Sequence, residues 1–271
     1  MIAKVLIDNE GVGELTGEWG LSILIDYNGQ KILLDGGTSG KFMDNASLMG
    51  IDLNEVDTVV LSHAHYDHAD GLVRLFKENK HCRLFLREGA CENCYSRHAF
   101  FPKYIGISKG FLKENEDRIT YASQKYKLAE GVWLLAHSTP GLEKIGKRAC
   151  LYVKKGPFRY VPDDFAHEQS LIFETEKGLV IFNSCSHAGP DNIINEVKNA
   201  FGNEKIYALI GGLHLFLSSE SYVTGLAERV NETGIERIYT GHCTGKKQIE
   251  ILKEHINGKV DTLCCGLEIK I

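Results

Sequence analysis

The chain has 271 residues, 43% hydrophobic and 25% charged, an ordinary globular composition with enough length for one large domain or two small ones. Its formal net charge is -5, with no run of like charges, which disfavours broad binding to nucleic acid or an anionic membrane. The segment Met1–Asp8 turns polar too early for a signal peptide and no apolar stretch is long enough to span a bilayer, so a cytoplasmic protein is expected.

In chain order, Leu21–Tyr27 and Lys31–Asp35 alternate like strands around Asn28-Gly29, a strong hairpin signal. A helical stretch runs from after Thr38 to about Met49 and stops at Gly50. Asp57 to Ser62 reads as a strand, Gly71 to about Asn79 as a helix, and His81 to Leu86 as another short strand. From about Arg87 to Ser123 the pattern is irregular and dense in aromatic and basic residues, among them Tyr95, Arg97, His98, Phe100, Lys103, Tyr104 and Lys109. Strands resume at Val132–Leu135, then form a second hairpin from Gln169–Glu174 and Gly178–Asn183. After it, helices over about 191–201, 220–234 and 248–256 alternate with strands at 205–210 and 237–240, and a short strand ends the chain. Both halves thus run from a hairpin into strand–helix alternation. That order predicts an α/β protein with two mixed sheets packed face to face and helices outside, in a single domain over residues 1–271.

The densest chemistry is His63-Ala64-His65-Tyr66-Asp67-His68, directly after the apolar run Thr58–Leu61. Imidazole and carboxylate suit zinc and its first-row neighbours. Alternate residues of an extended chain point opposite ways, so one ion cannot take all four side chains. The spacing suggests His63 and His65 on one ion and Asp67 with His68 on a neighbour. Three later strands each stop at a histidine beside glycine: Ser184-Cys185-Ser186-His187-Ala188-Gly189, Gly211-Gly212-Leu213-His214 and Gly241-His242-Cys243-Thr244-Gly245. Glycine lets the backbone turn tightly and approach a buried centre. If these strands lie side by side, their ends meet on one edge of the sheet. The eight cysteines read as free thiols or metal ligands; Cys91-Glu92-Asn93-Cys94, near Cys82, has knuckle spacing but lacks the second pair that would close a structural zinc site.

The chain resembles the metallo-β-lactamase fold superfamily. Leu33-Leu34-Asp35-Gly36-Gly37 looks like its first motif and His63–His68 like its HxHxDH signature, and the likeness spans essentially the whole chain. The segments around Cys185, His214 and His242 resemble a subgroup that includes an archaeal dihydropterin–ribofuranosylaminobenzene phosphate synthase. The resemblance implies a four-layer αββα sandwich. It also implies two metal ions, zinc by expectation with iron or manganese as alternatives. His63, His65 and His187 would bind the first, and Asp67, His68 and His242 the second. Asp35 would orient a ligand imidazole. The expected bridging aspartate is not visible; His167, Glu168, Cys185 and His187 surround its place, with Cys243 as a further neighbour or ligand.

The chemistry so implied is hydrolysis of an ester, amide or phosphoester small molecule by metal-bound hydroxide, with Asp67 accepting a proton and His214 giving one to the leaving group. The alternative is transfer, joining a pterin methyl diphosphate to an arylamine, with the aromatic and basic stretch covering a phosphorylated aromatic substrate. A di-iron oxidoreductase and a non-catalytic metal-binding module are further readings.

Overall fold

The computed structural model describes residues 1–97 and 101–271. Its first sheet has seven strands, in spatial order Glu268–Lys270, Ile2–Ile7, Ser22–Tyr27, Gln30–Leu34, Thr58–Val60, Arg83–Arg87 and Ile119–Ala122. The second also has seven, in the order Lys259–Thr262, Arg237–Thr240, Ile206–Ile210, Gly178–Phe182, Gln169–Thr175, Val132–Ala136 and Lys125–Ala129. Both sheets are mixed. In the first, Gln30–Leu34, Thr58–Val60 and Arg83–Arg87 run parallel; in the second, the four strands from Gly178–Phe182 to Lys259–Thr262 do.

The period-two alternation is doubled because each sheet is covered on both faces. Ile23, Ile25, Ile32, Leu34 and Val60 of the first sheet meet Leu134, Leu171, Phe173, Val180, Phe182 and Ile210 of the second in one buried layer. The opposite face of the first sheet packs Leu33, Val59 and Leu84 against Phe42, Ala46, Leu72 and Leu75, from the helices Lys41–Leu48 and Leu72–Glu78. On the far side of the second sheet, Ile181, Leu209 and Ile238 meet the helices Pro190–Ala200, Glu220–Glu232 and Lys246–His255 through Ile193, Val197, Leu226 and Leu252. The layers are therefore αββα, as expected. Among the described residues, no helix is long and apolar enough to cross a membrane.

The irregular stretch near 87–123 holds more structure than its sequence suggested. Cys94–Ser96 and Lys103–Tyr104 join Leu151–Lys154 and Tyr160–Pro162 in a small antiparallel sheet, and Ile119–Ala122 becomes the edge of the first large sheet. The Tyr95 ring packs edge-on against Tyr104 and Tyr160, at 5.2 and 5.1 Å, and Lys109 sits 4.3 Å above the Tyr104 ring. Short strands of mixed polarity carry little periodic signal, so sequence alone did not separate them from loop. His98 and Phe100 lie outside the described residues.

Candidate metal centre

The parallel strands all end on one edge, and the functional side chains sit just beyond those ends. Leu34 leads to Asp35, Val60 to Ser62 and His63, Phe182 to Cys185 and His187, Ile210 to His214, and Thr240 to His242. Asp35, Ser186, His214 and His242 hold positive φ, between 46° and 58°. Non-glycine residues in this region cost about 1–3 kcal/mol each, and such strain gathers where side chains must be aimed. Glycines make the close approaches: a Cβ on Gly211 would lie 2.0 Å from the Asn183 carbonyl, and one on Gly212 would lie 2.5 Å from Cys243 Sγ.

His63, His65 and His187 form a triangle of buried rings, with centroids 4.6 Å (63–65), 5.0 Å (63–187) and 5.0 Å (65–187) apart. His63 Nε2, His65 Nε2 and both nitrogens of His187 are buried with no hydrogen-bond partner. Burial and the neighbouring rings push His63 and His187 well below the ordinary histidine value and His65 down to about 3. All three are therefore neutral, with lone pairs available.

The second group is Asp67, His68 and His242. His68 Nδ1 donates to Asp35 Oδ2 at 2.8 Å, and His242 Nδ1 donates to Asn9 Oδ1 at 3.2 Å. Both rings then turn Nε2 toward each other, 3.1 Å apart, with Asp67 Oδ2 at 3.5 Å from His242 Nε2 and 3.8 Å from His68 Nε2. Burial opposes charge on Asp67, but His68 and His242 hold its carboxyl below the usual range. Burial likewise lowers His242, yet the Cys243 thiolate and the Asp67 carboxylate bring it up, to about 9. Two facing ring nitrogens beside an ionised carboxylate make a place for a cation, which the His242 proton fills in the metal-free protein and a metal ion would displace. The donor set fits a divalent metal, as do the unpartnered nitrogens of the first group.

Asp35, fully buried, orders both groups. Its Oδ1 accepts from Ser62 N at 2.7 Å, while Oδ2 accepts from Ser62 Oγ at 2.7 Å as well as from His68. With its only proton given to Asp35, the Ser62 hydroxyl must accept from His63 Nδ1, 2.9 Å away. One carboxylate thereby fixes the tautomer of two histidines, on opposite sides of the centre.

Cys185 lies where the two groups meet. Its Sγ is 3.3 Å from His68 Nε2 and 3.3 Å from Cys243 Sγ, and it falls within 4.8 Å of ligand atoms of both His63 with His187 and His68 with His242. Burial opposes ionisation of both thiols; the Cys185 hydrogen bond and the His242 ring bring Cys243 down, while Cys185 stays up. His214 packs its ring 4.4 Å from His187, with Nδ1 unpartnered, and its backbone N–H points to Cys243 Sγ at 3.2 Å.

The other candidates sit one layer back. Glu168 accepts from the backbone N–H groups of His187 and Ala188 at 2.9 and 3.0 Å, bracing the Cys185–Gly189 loop. Both His167 nitrogens are engaged: Nδ1 accepts from Ala64 N at 3.2 Å, and Nε2 donates to Asp163 at 3.0 Å. Although His65, Cys94, Asp163 and His167 lie within 4.8 Å of one another, that ring braces the histidine loop and has no lone pair to spare. Cys94 is buried within this group, whereas Cys91 is exposed. Sequence reasoning missed Ser62, Asn9, Asp163 and Trp19, whose ring lies 5.0 Å from His242. The only available signal was polar residues directly at strand ends, as in Asp8-Asn9 after Ile7.

The family model described as the metallo-beta-lactamase superfamily matches residues 16–181, more than half of the chain. The chain belongs to the metallo-beta-lactamase superfamily. A relative in this superfamily, the 7,8-dihydropterin-6-methyl-4-(beta-D-ribofuranosyl)-aminobenzene-5'-phosphate synthase of Methanocaldococcus jannaschii, is 30% identical over 264 residues, covering 93% of this chain and 89% of its own. A crystal structure of a metal-dependent hydrolase of the beta-lactamase superfamily is similar at a TM-score of 0.86 and 31% identity, over 100% of this chain and 99% of that one. Zn(2+)-bound PqqB from Methylobacterium extorquens, at 12% identity and a TM-score of 0.60 over 100% of both chains, shares the fold.

Proposed function

We propose that this protein is a binuclear metal enzyme that hydrolyses an ester, amide or phosphoester bond of a small molecule. The observation that carries the reading is the convergence of buried imidazole nitrogens without partners, from three strand ends, beside one ionised carboxylate. His63, His65 and His187 would hold one ion, Asp67, His68 and His242 the other, and Cys185 Sγ would serve both. Metal binding would release the Cys185 proton, and the resulting thiolate would supply the single negative charge that the missing aspartate would have carried. Thiolate and imidazole ligands together favour zinc, with iron next.

When bound, such ions supply Lewis acidity and bring the pKa of a water toward about 7. The chain's own residues do the rest. Asp67 accepts a proton on the side of His242, and Asp35 orients Nε2 of His68 directly and of His63 through Ser62. His214, beside His187 with Nδ1 unpartnered, gives a proton to the departing group.

Metal content of protein purified without added metal, measured with turnover of bis(4-nitrophenyl) phosphate, tests the reading. Close to two equivalents of zinc, and turnover lost both on chelation and in His65→Ala, are expected. Full turnover after metal removal refutes it, and iron in place of zinc would favour the oxidoreductase reading. The synthase relative supports a second reading, transfer of a pterin methyl group from diphosphate to an arylamine. Incubation with both compounds separates the two, since transfer yields the coupled product and hydrolysis the free alcohol.

A further inference from the structure

A cavity of about 470 Å³ opens directly beside the metal centre, between the helix Leu142–Arg148 and the loop from Leu213 to Ser219. Its size lies in the range of about 300–1,000 Å³ typical of small-molecule sites. We propose that it binds an aromatic substrate carrying an anionic group remote from the reacting bond, and that Arg148 recognises that group. The proposal rests on the catalytic reading above only for which end of the molecule reacts.

The cavity is graded from floor to mouth. Ser186, His187 and His214 line the floor, and Ser186 Oγ, both His187 nitrogens and His214 Nδ1 have no partner within the protein. The walls are apolar, from Ile145, Ala149, Leu213 and Leu215. At the mouth stand Phe216, Leu217 and Tyr222, which are 37%, 78% and 38% exposed. Trp19, 42% exposed, packs edge-on to Phe216 at 5.5 Å and so extends the wall from the cavity to His242. Large apolar side chains left in water and gathered at one opening mark a binding surface rather than scattered exposure. Flat rings on such walls suit an aromatic guest.

The electrostatics favour an anion. Arg148 is the one Lys, Arg, Asp or Glu among the described residues lining the cavity, in a chain of net charge -5. Its guanidinium lies 5.2 Å from the Tyr222 ring centre and its Nη2 is 3.5 Å from the Tyr222 hydroxyl. The fork is thus steered by an aromatic face while its remaining N–H groups stay available. Two helices also begin on the rim, Pro190–Ala200 after Gly189 and Glu220–Glu232 capped by Ser219, but Asp191 and Glu220 in their first turns offset the dipoles, which leaves Arg148 as the positive group of the cavity. A phosphate, phosphonate or carboxylate at this end, a ring against Phe216 and Tyr222, and a scissile group over His187 and His214 would satisfy each surface in turn.

Calorimetry on the full-length, zinc-loaded protein tests the assignment with three probes: 4-(phosphonomethyl)benzoate, benzylphosphonate and methylphosphonate. The two-ended probe should bind most tightly. Arg148→Ala should weaken it at least tenfold, Arg148→Lys less, while benzylphosphonate changes under twofold. Ala149→Phe, which fills the cavity, should abolish the advantage of both aryl probes over methylphosphonate. Equal weakening of both aryl probes, no effect of either substitution, or methylphosphonate binding as tightly as benzylphosphonate overturns the proposal. Affinity is read here without turnover. Pocket binding without metal-dependent turnover therefore defeats the hydrolytic reading alone, and turnover with binding indifferent to Arg148 defeats the pocket alone.

Discussion

Replacing Asp35 by Asn removes one charge and changes almost no volume, so it isolates what this carboxylate does to the histidines. Ser62 N at 2.7 Å keeps the amide oxygen at the Oδ1 position, which turns the amide NH2 toward His68 Nδ1 and Ser62 Oγ. The hydroxyl can reverse and accept, but His68 cannot donate to a donor. Its proton must move from Nδ1 to Nε2, the nitrogen that faces His242 and Cys185. A ligand held in the wrong tautomer has no lone pair for a cation. Loss of such an outer partner typically weakens metal binding 10- to 100-fold, about 1.4 to 2.8 kcal/mol. The lost hydrogen bonds to a charged group cost a further ~1.5–3 kcal/mol of fold stability. Competition against a fluorescent zinc chelator reads the first quantity, and urea unfolding of metal-free protein reads the second. Zinc affinity equal to wild type in Asp35→Asn, alongside a large loss in His68→Ala, would refute the tautomer argument.

Three further expectations follow from separate parts of the molecule. Cobalt-substituted protein should show a near-ultraviolet thiolate charge-transfer band that disappears in Cys185→Ser and persists in Cys264→Ser; persistence in both would remove Cys185 from the metal. Phe173→Ala, emptying a fully buried ring site between the sheets beside Tyr27 and Phe182, should cost about 3–5 kcal/mol in urea unfolding. Glu196 accepts from His137 Nδ1 at 2.9 Å, Ser138 N at 3.0 Å and the Thr139 hydroxyl; burial alone would raise its pKa, but these bonds hold it below the ordinary 4.5. A depressed carboxylate stabilises the fold fully above its unfolded value and loses that contribution as pH falls through the folded one. Wild type should therefore lose stability in the range below about pH 4.5, and Glu196→Gln should show a shallower acid limb in thermal unfolding between pH 5 and pH 3.

Much of the fold was legible because its signals are local. The hairpin around Asn28-Gly29, the second hairpin at 169–183 and the three C-terminal helices appear near their expected places. The aromatic and basic stretch was the weak point, since the strands Cys94–Ser96 and Lys103–Tyr104 are too short to show a period, and the first of them, on which the second pairs, is held by a partner strand, Leu151–Lys154, more than fifty residues on. The expected ligands His63, His65, Asp67, His68, His187 and His242 do converge; strand ends followed by metal-binding side chains picked out their segments together with His214, and the choice among those histidines is what the superfamily resemblance implied. The place of Cys185 could not be read in the same way. Its spacing before His187 is equally compatible with a buried structural thiol, and only the meeting of two sheet edges sets it against both histidine groups.

Sequence by itself determined that this chain makes strands ending in histidine and carboxylate, and hence that a candidate metal centre belongs at one sheet edge, because both strand periodicity and ligand spacing are properties of neighbouring residues. Which residue orders, shares or approaches that centre was decided only by tertiary structure. Asp35 reaches Ser62 and His68 across 27 and 33 residues, Asp8 holds the His242 N–H across 234, and the Arg148 helix lines one cavity with a loop that begins at Leu213. Such contacts are set by the order of strands within each sheet and by how the two sheets are laid together, and no short window of sequence carries either.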